Sequence, residues 1–174
     1  MSVSRGMFTD MLALAPSYPA LPCLDGRCVV AQLYRSNETF SCWTVFFLPS
    51  HECVVRRLRW DLGCSPRHPD REPLIYAADA RLPVHTVRAQ LSRCPTLQLP
   101  TASASPSGSG PFAVSGVVLI TDLTRIEVSW VSEAPEGLLE LASWFASSRD
   151  LLESYLPAYT DTIRGTSFRI PAST

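Results

Sequence analysis

The sequence contains no lysine: all 15 basic side chains are arginine. That absence removes Schiff-base chemistry and pyridoxal phosphate anchoring, which need a lysine amine, and the phosphate-binding loop, which needs a lysine after its glycines. With 15 prolines and abundant alanine, the arginine-only habit fits a GC-rich coding bias. Charge is scarce as well, at 18% of residues with a net charge of −1, so the chain has no general attraction for phosphate backbones or anionic lipid. No nucleic-acid or membrane partner is expected. No run approaches the roughly 18 consecutive apolar residues of a transmembrane helix. Met7 to Ala15 ends in Ala-Leu-Ala in the manner of a leader, but Asp10 interrupts it and only Arg5 precedes it. A short amphipathic helix with Phe8, Leu12 and Ala15 on one side is the better reading, and a cytoplasmic location follows as the expectation.

Histidine is rare too, with three in the chain. Cys64-x3-His68 holds Pro66 inside it and lacks the second ligand pair of a structural zinc site, so neither metal nor cofactor is expected. Ser-Gly-Ser-Gly at 107–110 does not make the G-x-S-x-G elbow of a serine hydrolase. Asp61, Asp79, Asp122 and Glu127 sit near strand ends or on strand faces without the spacing of a hydrolytic pair.

Six cysteines form an even set, yet the expected hairpin around Pro49-Ser50-His51-Glu52 separates Cys42 from Cys53. A four-residue loop there places Leu48 opposite Cys53 and Cys42 opposite Arg59, so reduced thiols are expected. Cys23 and Cys28 are the one plausible local bridge. In the same register Cys42 has Arg59 opposite and Arg57 on the diagonal, an environment that lowers a thiol pKa, but no histidine can be placed beside it as a base.

What is present reads as one domain. A chain of 174 residues with 46% hydrophobic side chains is long enough to bury roughly 70% of its unfolded surface without staples. Residues 1–26, with Pro16, Pro19, Pro22 and Asp25-Gly26, read as an N-terminal helical strap. Cys28 to Tyr34, Phe40 to Leu48 and Cys53 to Asp61 read as a β-meander, with a short fourth strand at Leu74 to Ala78. Pro83 to Arg93 has helical spacing, and about 95–111 has the Ser/Gly/Pro composition of a flexible loop. Phe112 to Thr121 and Arg125 to Val131 form a second hairpin, the latter alternating Ile126, Val128 and Trp130 with Arg125, Glu127 and Ser129. A helix from Pro135 to about Leu156 carries Leu138, Leu141, Ala142, Phe145, Leu152 and Leu156 on one stripe and Trp144, Leu151 and Tyr155 on a second.

The expected fold is therefore α+β: a largely antiparallel sheet of about five strands, meander plus C-terminal hairpin, packed by a long C-terminal helix and shorter helices. In the register above, Trp43, Val45 and Phe47 share a core face with Val54, Leu58 and Trp60. The other face carries Asp61 and the four residues Cys42, Thr44, Arg57 and Arg59, and is expected to be at least partly wet. These four are the candidate binding residues, because Arg beside a semi-polar sheet face suits a protein interface. No catalytic residue is expected. The functional expectation is a non-catalytic protein-binding module, an inhibitor or immunity-type antagonist with an acidic protein partner. The alternative is a small enzyme or small-molecule binder using a pocket between sheet and helix.

Overall fold

A computed structural model of the chain describes residues 12–19, 21–36, 39–61, 74–95, 113–121, 124–158 and 163–165. Alternating, β-branched segments become strands β1 (Val29–Ser36), β2 (Thr39–Phe47), β3 (Cys53–Asp61) and β4 (Leu74–Leu82). Helix α1 (Val84–Leu91) follows, entered through Pro83. Then come β5 (Val114–Ile120), β6 (Arg125–Val131), helix α2 (Leu139–Tyr155) and the three-residue β7 (Ile163–Gly165). The strands form one antiparallel sheet in the order β6-β5-β1-β2-β3-β4-β7. The fold is α+β, as expected, with more strands than anticipated. The next strand after α1, β5, lies beside β1 and not beside β4, a strand order in the manner of a Greek key. Residues 96–111 of the expected flexible loop, and the segment holding Cys64 and His68, lie outside the described residues.

The expected register of the β2–β3 hairpin is wrong by one residue, and the cause is local. His51 adopts a left-handed backbone with φ 60°, its N–H bonds to the Leu48 carbonyl at 3.0 Å, and the Leu48 N–H bonds to the Glu52 carbonyl at 2.9 Å. The connection is thus a three-residue loop closed by a left-handed residue rather than a four-residue one. Phe47 pairs with Cys53, Trp43 with Arg57 and Cys42 with Leu58. A one-residue slip moves every β3 side chain to the other face. Trp43, Val45 and Phe47 therefore share their face with Cys53, Val55, Arg57 and Arg59, whereas Cys42 and Thr44 share theirs with Val54, Arg56, Leu58 and Trp60.

Both faces are covered, which corrects the expectation of one wet face. On one side α1 and α2 pack on Ala31, Leu33, Trp43, Val45, Val55, Val117 and Trp130. The first stripe of α2 meets the sheet, with Trp130 edge-on to Phe145 at 5.5 Å. Part of the second stripe meets α1: the Trp144 indole donates to the Gln90 carbonyl at 2.8 Å. Tyr155 stays 41% exposed. On the opposite side the strap supplies Leu12, Ala15 and Tyr18 to a cluster with Tyr34, Phe40, Cys42, Leu58, Trp60, Ile75 and Val118. Its helical part runs through residues 12–14 into a 3-10 turn at Ala15–Ser17. Tyr34 lies flat over Gly116 on the neighbouring strand, where a Cβ would run into the ring, so glycine is required at that crossing. No helix among the described residues is long and apolar enough to cross a membrane.

Candidate functional site

Strand β3 carries three arginines, and strand alternation sends them to different places. Arg56 faces the strap and is fully buried. Its Nε and Nη2 form a fork on the Asp79 carboxylate at 2.8 and 2.7 Å. Its remaining N–H groups donate to the carbonyls of Ala15 at 2.9 Å, Pro16 at 3.1 Å and Pro22 at 2.7 Å. Five donors meet five acceptors, which is what a buried guanidinium requires. Arg57 faces the helices at 1% exposure. It pairs with Glu153 of α2 and donates to the Pro157 carbonyl at 2.8 Å. The other Glu153 oxygen accepts from the Trp43 indole at 2.7 Å.

The four candidate binding residues thus do not share a face. Arg57 is buried under α2 as a structural anchor, and Cys42 and Thr44 are buried on the strap side at 0% exposure. Thr44 Oγ1 accepts from Gln32 Nε2 at 3.3 Å, and the same amide donates to the Leu12 carbonyl at 2.9 Å. Of the four, Arg59 is the one that keeps partial exposure.

Around Arg59 the register assembles a row that sequence reading missed. Ser115, Arg35, Ser41, Arg59 and Tyr76 are consecutive cross-strand partners on β5, β1, β2, β3 and β4. They lie one step beyond Trp43 and Arg57, which Glu153 of α2 holds. Arg35 is exposed, Arg59, Tyr76 and Ser115 are half-buried, and Ser41 lies at the floor with 9% exposure. Neighbouring strands are about 4.8 Å apart, so the two arginines stand about 10 Å apart at Cα, flanking the serine hydroxyl. Guanidinium forks with a serine and a tyrosine hydroxyl between and beside them suit carboxylate or phosphate oxygens. The sequence signal for Arg35 was its place at the end of an apolar strand. Its alignment with Ser41 and Arg59 needed the register.

Two of the thiols, those of Cys42 and Cys53, are silent groups. Burial pushes the Cys42 thiol up to about 12, against a small opposing effect of its contact with Thr44 at 3.4 Å, and pushes Cys53 up to about 12. This corrects the expected low thiol pKa, since Cys42 faces Leu58 and not Arg59. Cys23 and Cys28 are both free, so the local bridge is not formed. In the folded protein at pH 8, Cys42 and Cys53 are expected to resist 5,5′-dithiobis(2-nitrobenzoate) while the exposed Cys23 reacts at once. Denaturant should release the buried pair, and fast labelling of Cys42 in the native state would contradict this packing. Because unfolded thiols ionise near 9 and these two stay protonated to about 12, they withdraw stability as pH rises through that window.

Asp79 is committed to Arg56, while Glu127 accepts from the Tyr34 hydroxyl at 3.3 Å and lies 3.8 Å from Arg125. Neither forms a carboxylate dyad. The side chains of Asp61 and Asp122 lie outside the described residues. Among the described residues no group of three His, Cys, Asp or Glu could hold a metal ion. Between the sheet and α2, Leu33, Val45, Val87, Gln90, Leu91, Ser148, Leu151 and Leu152 enclose a void of about 10 Å³, room for one water at most.

The architecture is thus a single antiparallel sheet clamped between a helix pair and an N-terminal strap. No family model matches the chain, and neither a curated protein nor a solved structure matches it.

Proposed function

We propose that the chain is a non-catalytic protein-binding module, an antagonist of the inhibitor or immunity type, that meets an acidic patch of its partner with the Arg35–Ser41–Arg59–Tyr76 row. The observation that carries this reading is the row itself: two arginines flank a hydroxyl on the central strands of a sheet braced on both faces. A braced platform holds the guanidinium groups with little ordering cost on association, and Arg and Tyr are the side chains that dominate interface energetics. The buried, high-pKa thiols and the filled space between sheet and α2 count for this reading over the enzyme or sheet-pocket alternative.

Tagged protein used as bait in its native host, eluted with rising salt, is expected to recover one stoichiometric protein partner. Replacing both Arg35 and Arg59 by glutamate should weaken that complex at least tenfold and flatten its salt dependence. Capture that is indifferent to both reversals, or recovery of the bait alone, would sink the proposal.

A further inference from the structure

On the helix side of the sheet, the row through Ser41 alternates hydroxyl and guanidinium across five neighbouring strands: Ser115 on β5, Arg35 on β1, Ser41 on β2, Arg59 on β3 and Tyr76 on β4. Each of these side chains is a hydrogen-bond donor, and none carries negative charge. On the same face, the carboxylate of Glu153 is engaged by Arg57 and Trp43. The row is a notch rather than a flat strip. Arg35 is exposed and Arg59 half-buried, while Ser41 between them is 9% exposed. Strands stand about 4.8 Å apart, less than the length of an extended arginine side chain. Guanidinium groups on both neighbours of β2 are therefore long enough to meet above the Ser41 hydroxyl.

The donors and charges of this notch distinguish between anions. A carboxylate fills one guanidinium fork with its two oxygens and neutralises one cation. Set above Ser41, it would leave the second arginine and the hydroxyl unanswered. A phosphodiester, with a single charge, has the same shortfall. A phosphate monoester carries three strong acceptor oxygens and close to two negative charges. It takes a fork from Arg35 on one side and from Arg59 on the other, accepts from the Ser41 hydroxyl below, and balances both cations. Clusters of arginine are the usual means by which proteins read such groups on other proteins.

We infer that the notch formed by Arg35, Ser41 and Arg59, flanked by Ser115 and Tyr76, is a receptor for a phosphate monoester dianion, presented as a phosphorylated side chain of the partner protein. The inference rests on the proposed function and deepens it: the acidic feature met by the row is a phosphorylated residue, and the partner is bound in its phosphorylated form.

The test titrates the full-length isotope-labelled chain with capped pentapeptides, Ala-Ala-Z-Ala-Ala, in which Z is phosphoserine, phosphotyrosine, serine or glutamate. Inorganic phosphate and a thymidine hexanucleotide are titrated beside them. At least one phosphopeptide is expected to shift the amides of residues 35, 41 and 59 saturably and to bind at least tenfold more tightly than the serine and glutamate peptides, inorganic phosphate or the hexanucleotide. Arg35→Lys, at an exposed position, keeps the charge and loses the fork, and should weaken phosphopeptide binding at least fivefold. Ser41→Ala should weaken it as well. The inference is overturned if no phosphopeptide perturbs the row, or if the glutamate peptide binds as tightly. It is overturned equally if Arg35→Lys keeps the parent's affinity. Inorganic phosphate binding as tightly as the phosphopeptides would assign the notch to a free anion, and the hexanucleotide doing so would assign it to nucleic acid, each against the inference. Phosphatase treatment of the host extract before capture should abolish recovery of the partner. Capture that still depends on Arg35 and Arg59 but survives the phosphatase would overturn this inference and leave the proposed function standing.

Discussion

Arg56→Ala is expected to lower the unfolding free energy by about 3–5 kcal/mol, the range for breaking a buried ion pair from one side. Truncation leaves the Asp79 carboxylate, 23% exposed, without its fork, and leaves the carbonyls of Ala15, Pro16 and Pro22 without a donor. It also removes a cation 5.9 Å from the Phe46 ring centroid. The loss should be concentrated on one face. The strap, which covers Tyr34, Phe40 and Trp60, should become the first site of proteolytic cleavage while the helix side persists. Urea unfolding followed by tryptophan fluorescence gives the global number, and limited proteolysis gives the local one. The double variant Arg56→Met, Asp79→Leu should recover much of the loss, because no charge is then stranded. A single variant within about 1 kcal/mol of the parent would show that Arg56 does not hold the strap.

Glu153→Ala should cost about 3 kcal/mol by the same physics on the opposite face. Glu153 serves two donors at once, the Arg57 guanidinium and the Trp43 indole, which stand directly opposite each other on β3 and β2. Its side chain is 27% exposed, so water reaches part of the vacated site, which is why the expected loss lies at the low end. Arg57, at 1% exposure, keeps the Pro157 carbonyl but loses the Glu153 carboxylate. Glu153→Gln keeps an oxygen for Trp43 and should cost less than the alanine variant. Urea titration of both variants decides the matter: equal losses for Gln and Ala would show that the charge of Glu153, and not its second hydrogen bond, carries the effect. No loss in either would remove Glu153 as the clasp of α2.

Much of the architecture was legible before any coordinates. Period-two alternation placed β2, β3 and β6 to within a residue or two, and the stripe from Leu138 to Leu156 identified the face α2 buries. The candidate site was far less legible. Thr44, Cys42, Arg57 and Arg59 were grouped by a hairpin register that assumed a four-residue loop, and one left-handed residue, His51, shortened that loop and sent the two pairs to opposite faces. Arg56 carried no signal as a core residue, because its partners lie 23 residues ahead in Asp79 and 34 to 41 residues back in the strap.

Composition and alternation thus sufficed for the class of fold, the long C-terminal helix on one face of the sheet and the exclusion of lysine chemistry, since these depend on each residue and its near neighbours. The packing of the chain on itself decided which arginines were buried and which stood in a row with Ser41 and Tyr76. That outcome depends on strand register, on the return of β5 to β1 and on the strap closing the second face. Each of these is set by contacts between segments far apart in sequence, where alternation has no reach.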